Sequence, residues 1–135
     1  MRAYTLDASA IMDFLENGPG AARVEQLISS AHKDQSVLAI SVLNWGETFY
    51  TVWQHHGEET ARREIARLSR LPIEVVSVDE EQALKAGEIK ALHNLSFVDC
   101  VAAALAELRN SILVTADRDF LKLGRRIQVL WLARS

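Results

Sequence analysis

Four carboxylates occupy positions where a folded chain would be expected to carry apolar or neutral side chains. Asp7 directly follows the run Ala3-Tyr4-Thr5-Leu6, and Asp117 follows Ile112-Leu113-Val114-Thr115. Glu47 lies inside Leu43-Asn44-Trp45-Gly46-Glu47-Thr48-Phe49-Tyr50, and Asp99 inside Phe97-Val98-Asp99-Cys100-Val101-Ala102-Ala103-Ala104-Leu105. A carboxylate withdrawn from water is costly unless it is paired or binds a metal. Of the four, only Asp117, beside Arg118, has an evident basic neighbour in sequence. Convergence on a divalent cation is the economical explanation, and it points to metal-dependent chemistry on a phosphate ester.

Each acid taken singly has a plainer explanation. Asp99 stands three residues after Ser96, where an acid favours a helix N-terminus. Asp7 and Asp117 could be strand-end turn residues, and Glu47 could rest beside a Trp indole or a Tyr hydroxyl. Together these explanations weaken, because unit charges about 4 Å apart repel by about 4 kcal/mol at an effective dielectric near 20. Converging carboxylates therefore need a cation or must take up protons. An all-oxygen set suits Mg²⁺ or Mn²⁺ in preference to zinc. The histidines His32, His55, His56 and His93 have no zinc-ligand spacing and read as surface or helix-end residues. Ser9 lacks a His base and reads as a helix cap or a support for the acids.

Elements that could bring these acids together alternate along the chain. Strands are predicted at Arg2 to Leu6, Ser36 to Ile40, Ile73 to Val78, Ile112 to Thr115 and Ile127 to Leu132. Helices are predicted from about Ala10 to Glu16, from Ala21 to His32, and from a Ser41 cap through Glu47 to His55-His56-Gly57. Others follow from about Glu58 to Arg70, from an Asp79 cap to Leu92 or His93, and from Phe97 to Leu108, with a short one at Asp119 to Leu123. This alternation predicts one α/β domain over residues 1–135, a central, mostly parallel sheet with helices on both faces. In such sheets ligands bind at the carboxyl ends of the strands, where Asp7 and Asp117 fall. Glu47 shares a helical stripe with Leu43 and Tyr50, which is an apolar face.

Composition is that of a globular domain, 49% apolar and 24% charged. A single cysteine, Cys100, excludes an intrachain disulfide framework and suggests a reducing cytoplasm. No secretory signal is visible, and the longest apolar run, Cys100 to Ala106, is too short to span a bilayer. A net charge of −3 argues against nucleic-acid binding only weakly, since bound cations would invert the local field. Arginine-rich stretches at Arg62, Arg63, Arg67 and Arg70 and at Arg118, Lys122, Arg125 and Arg126 are candidate phosphate contacts. Trp45, Phe49, Tyr50 and Trp53 cover more than one face of one helix. That helix is either buried on both sides or offers a surface for a dimer or a partner helix.

The segments Leu6-Asp7-Ala8-Ser9-Ala10, Ser41-Val42-Leu43-Asn44-Trp45-Gly46-Glu47, Leu95-Ser96-Phe97-Val98-Asp99 and Thr115-Ala116-Asp117-Arg118-Asp119-Phe120, in this order, resemble the PIN-domain nucleases. In particular they resemble the VapC toxins of bacterial and archaeal toxin–antitoxin pairs. The resemblance spans essentially the whole chain. It implies a PIN-like fold and a Mg²⁺- or Mn²⁺-dependent endoribonuclease inhibited by a small VapB-like antitoxin, with a homodimer as the expected assembly. Asp7, Glu47, Asp99 and Asp117 would be the acidic quartet, with Ser9 and Thr115 in support. Asp119 competes for the fourth place, but Asp117, two residues after Thr115, matches the family's pattern. Two rivals remain: a phosphatase with an aspartyl nucleophile, although its second acid would stand where Ser9 is, and a non-catalytic PIN-like binding module.

Overall fold

In the computed structural model, which describes residues 1–134, every strand runs in the same direction. The strands are β1 (Arg2–Leu6), β2 (Ser36–Ser41), β3 (Ile73–Val76), β4 (Ile112–Thr115) and β5 (Val129–Trp131). They form one sheet in the order β3-β2-β1-β4-β5. Parallel neighbours require crossover connections, and helix pairs supply three of them. These are α1 (Ala8–Leu15) with α2 (Ala21–His32), α3 (Val42–His56) with α4 (Glu58–Leu68), and α5 (Glu80–Leu92) with α6 (Phe97–Leu108). A short 3-10 helix (Arg118–Leu123) links β4 to β5.

The period of two along a strand divides the core between the two faces of the sheet. Tyr4, Leu6, Leu38, Ile40 and Val114 pack with Ile11, Val24, Leu27 and Ile28 of α1 and α2. On the opposite face Leu113 joins the helices α5 and α6, while Ala39 and Val76 meet Leu105. Seven consecutive residues of α6, Cys100 to Ala106, are buried. This helix lies against the sheet on one side and α5 on the other, so its apolar surface encircles it instead of forming a stripe. No single helix among the described residues is long and apolar enough to cross a membrane.

Several element ends differ from the sequence expectation. Helix α1 begins at Ala8, not near Ala10, because Asp7 itself is the cap and its side chain accepts from Ala10 N–H. Helix α4 ends at Leu68, before Arg70; the Ser69 N–H closes the last turn on the Ile65 carbonyl. Strand β3 stops at Val76, which pairs with Ser41, the last residue of β2, so Ser77 and Val78 have no ladder partner. Strand β5 is limited to the residues opposite Leu113 to Thr115.

Chain order and sheet order reverse at β1. From β1 the chain moves through β2 to β3 on one side, and then crosses back to place β4 on the other. The crevice at the carboxyl ends of β1 and β4 is therefore the topological switch point, where an open parallel sheet binds its ligand.

Candidate metal centre

The β1–β4 register pairs Leu6 with Val114, which sets the residues that follow each strand side by side. Asp7 is 3% exposed, and both of its oxygens are engaged. Its Oδ1 accepts from Ser9 Oγ at 2.7 Å and from Ala10 N–H at 3.0 Å, and its Oδ2 accepts from Thr115 Oγ1 at 2.5 Å. Ser9 Oγ accepts in turn from Ala116 N–H at 2.9 Å, and Thr115 Oγ1 from Asp117 N–H at 2.9 Å. The two strand ends are thus joined through hydroxyls. Asp117 is half-buried and caps the 3-10 helix, accepting from Asp119 N–H at 2.9 Å.

The other acids arrive on helices. Asp99 sits in the first turn of α6, where its N–H donates to the cap, Ser96 Oγ, at 3.2 Å. Glu47 lies in the second turn of α3, and its Oε1 accepts from Asn44 Nδ2 at 3.1 Å. Asn44 is 1% exposed, and its Oδ1 has no hydrogen-bond partner.

Geometry and electrostatics place these groups in one centre. Asp99, Asp117 and Asp119 can each bring a carboxylate oxygen within 4.8 Å of the others. Burial raises Asp99 to about 6; its Ser96 hydrogen bond opposes the rise, and the negative charges of Asp117, Glu47 and Asp119 add to it. Asp7 is also raised to about 6, by burial first and by the charge of Asp99 last, against hydrogen bonds from Thr115, Ser9 and Ala10. Among the described residues no Lys, Arg or His forms an ion pair with any of the five acids. Mutually repelling carboxylates without a basic partner are a donor set that suits a hard divalent cation.

The structure thus brings Asp99 and Asp117 together and sets Asp7 and Glu47 near enough to Asp99 for their charges to interact, with Ser9 and Thr115 bonded to Asp7. Asp119 enters beside Asp117 and does not replace it. Sequence reasoning passed over Asn44, although its position three residues before Glu47 on the same helical stripe was a usable signal. The fold divides the arginine-rich stretches: Arg118 stays beside the acids, whereas Arg125 and Arg126 do not. Arg118 donates to the Leu132 carbonyl at 3.0 Å and lies 5.0 Å above the Trp131 ring. Arg126 is held by Glu107 and Glu88, each at 2.9 Å, near Asn110, Ser111 and Gln128 at the amino edge of the sheet. Arg125 lies at that same edge, opposite the acids. Arg62 pairs with Glu58 at 2.9 Å and covers Phe49 and Trp53.

Comparison with known proteins bears on the fold and the family. A family model described as PIN domain matches residues 4–126. The structure is similar to VapBC2 from Rickettsia felis bound to a DNA fragment from their promoter (TM-score 0.77, 15% identity, covering 97% of this chain and 99% of that one). It is also similar to DNA-bound VapBC from Salmonella typhimurium (TM-score 0.75, 20% identity, 96% and 98% covered). A third similar structure is VapC20 from Mycobacterium tuberculosis, a Sarcin-Ricin loop cleaving toxin (TM-score 0.73, 21% identity, 90% and 95% covered). No curated protein matches the chain.

Proposed function

Since the chain belongs to the PIN-domain family, we propose that it is a divalent-metal-dependent endoribonuclease, the toxin of a type II toxin–antitoxin pair. The observation that carries this reading is the group of acids at the switch point, Asp7, Glu47, Asp99, Asp117 and Asp119, none of which forms an ion pair among the described residues. The similar VapC20, a Sarcin-Ricin loop cleaving toxin, supports RNA as the substrate class. The similar VapBC complexes support a VapB-like antitoxin as partner. A cytoplasmic location suits an enzyme of this kind. A homodimer through α3 would cover Tyr50 and Trp53, which are 52% and 39% exposed.

The residues fit Mg²⁺ or Mn²⁺. Asp99, Asp117 and Asp119 would hold the ion, joined by Asp7 through Oδ2, the oxygen that accepts a single hydrogen bond. When bound, the cation supplies Lewis acidity, which acidifies a coordinated water and offsets charge developing on the phosphate. Ser9 and Thr115 fix the Asp7 carboxylate, so its position needs no reorganisation when RNA arrives. Asn44 fixes Oε1 of Glu47 and leaves Oε2 free to accept a hydrogen bond from the attacking water and orient it.

The direct test is cleavage of total RNA by the purified protein and its Asp99→Asn variant, with Mg²⁺ or with chelator. The expected outcome is discrete fragments from the unaltered protein with Mg²⁺ alone, and a loss of at least about a hundredfold in the variant, the scale of removing one preorganised group. Cutting that persists equally in chelator or in Asp99→Asn would sink the proposal.

A further inference from the structure

We propose that Glu16, His55 and His56 form a second metal site, for one borderline cation of the Zn²⁺ class, distinct from the acidic centre. Glu16 precedes the adjacent His55 and His56 by 39 and 40 positions, but one ligand atom from each of the three lies within 4.8 Å of the others. Glu16 is the C-terminal cap of α1, where Asn17 turns the chain with φ of 52°. His55 and His56 are the last two residues of α3, which Gly57 ends with φ of 90°. The Nε2 of His56 already stands 3.7 Å from Glu16 Oε2, and the two imidazole rings are 6.1 Å apart.

The donor chemistry differs from that of the acidic centre. Two imidazole nitrogens and one carboxylate, with a remaining position for water, match a zinc ligand set, whereas Mg²⁺ prefers oxygen alone. Zinc–ligand distances of about 2.0–2.1 Å require ligand atoms roughly 3.4 Å apart. Side-chain rotation would close that difference, since all three residues are exposed.

The location gives such a site a consequence. Helix α1 starts at Asp7, α3 carries Glu47 in its second turn, and the two helices pack together. Both then meet again at Glu16 and His55–His56. At 1.5 Å per residue the second site lies about 12 Å along each helix from the acids. An ion held there staples the far ends of the two helices whose near ends carry Asp7 and Glu47.

Zn²⁺ titration in excess Mg²⁺, together with Co²⁺ absorption spectra, tests this with the full chain. The expected result is one Zn²⁺ per chain in both the unaltered protein and Asp99→Asn. His56→Gln should lower that affinity by more than about tenfold. Co²⁺ should give a visible ligand-field band that disappears in His56→Gln and in Glu16→Gln. Zn²⁺ should raise the melting temperature of the unaltered protein and not that of His56→Gln. The positions are exposed, and circular dichroism of each variant verifies that it folds. Zn²⁺ binding that is unchanged in the His and Glu variants, that is lost only in Asp99→Asn, or that is absent from the unaltered protein overturns the assignment.

Discussion

Burial raises the Asp99 carboxyl, and the negative charges of Asp117, Glu47 and Asp119 add to the rise. This carboxyl and that of Asp7 are both raised from 3.8 to about 6. Between about pH 4 and pH 6 the folded protein therefore retains protons that the unfolded chain has released. Without metal, the contribution of these two groups to stability falls as pH rises through that window and is level above it. For buried Asp7 the rise from 3.8 to about 6 corresponds to about 3 kcal/mol. Asp99→Asn removes one repelling charge, so in chelator at pH 7.5 the variant is expected to be the more stable by about 1 kcal/mol, discounted for partial exposure. Near pH 3.5, where Asp99 is neutral in the folded protein and mostly neutral in the unfolded chain, the advantage should all but vanish. Denaturant titrations at the two pH values check this, and an equal loss of stability at both would refute the electrostatic account. Mg²⁺ should stabilise the unaltered protein most above pH 6, where cation and proton no longer compete.

Elements hold these side chains through local devices that can be altered without touching an acid. Gly57 ends α3 and opens α4 at φ 90° and ψ 166°, a backbone region that only glycine enters without strain. Gly57→Ala is expected to cost about 1–3 kcal/mol. Its denaturation midpoint should drop while Mg²⁺ affinity, measured by calorimetry, stays the same. Helix α6 carries Asp99 on a shaft of small residues, and Ala102, Ala103 and Ala104 are fully buried. Ala104→Leu overpacks the space beneath the helix by three carbons, at a cost of about 1–3 kcal/mol. Here the same titration should show weakened Mg²⁺ binding, because any shift of α6 moves Asp99.

Across the whole molecule, the two edges of the sheet have different roles. Asp7, Asp117 and Asp119 follow their strands at the carboxyl edge, whereas Arg125 and Arg126 lie at the amino edge. The double variant Arg125→Ala, Arg126→Ala should leave RNA affinity and its salt dependence unaltered. It should still lower stability slightly through the lost bridges from Arg126 to Glu88 and Glu107. Filter binding over a range of salt, beside a denaturant titration, distinguishes the two effects; a reduced salt slope would put RNA on the amino edge.

The alternation of β and α segments, and acids standing where apolar residues are expected, were legible in the sequence because periodicity and the cost of burying charge act locally. From these came the parallel α/β sheet and the set Asp7, Glu47, Asp99 and Asp117 as candidates. What required the tertiary structure was the sorting of neighbours. Arg118 and Arg126 are close in sequence, yet the chain returns from the carboxyl edge to the amino edge before β5 and leaves them at opposite ends. Asp119 competed in sequence with Asp117 for one place, and Asn44 looked incidental, until the register of β1 with β4 and the approach of α3 brought both beside the other acids. Glu16 precedes His55 and His56 by 39 and 40 positions and met them only because α1 and α3 pack side by side. A chain encodes its periods within a few residues, but which distant side chains share a crevice follows from strand order and helix packing, and those arise only when the whole core closes.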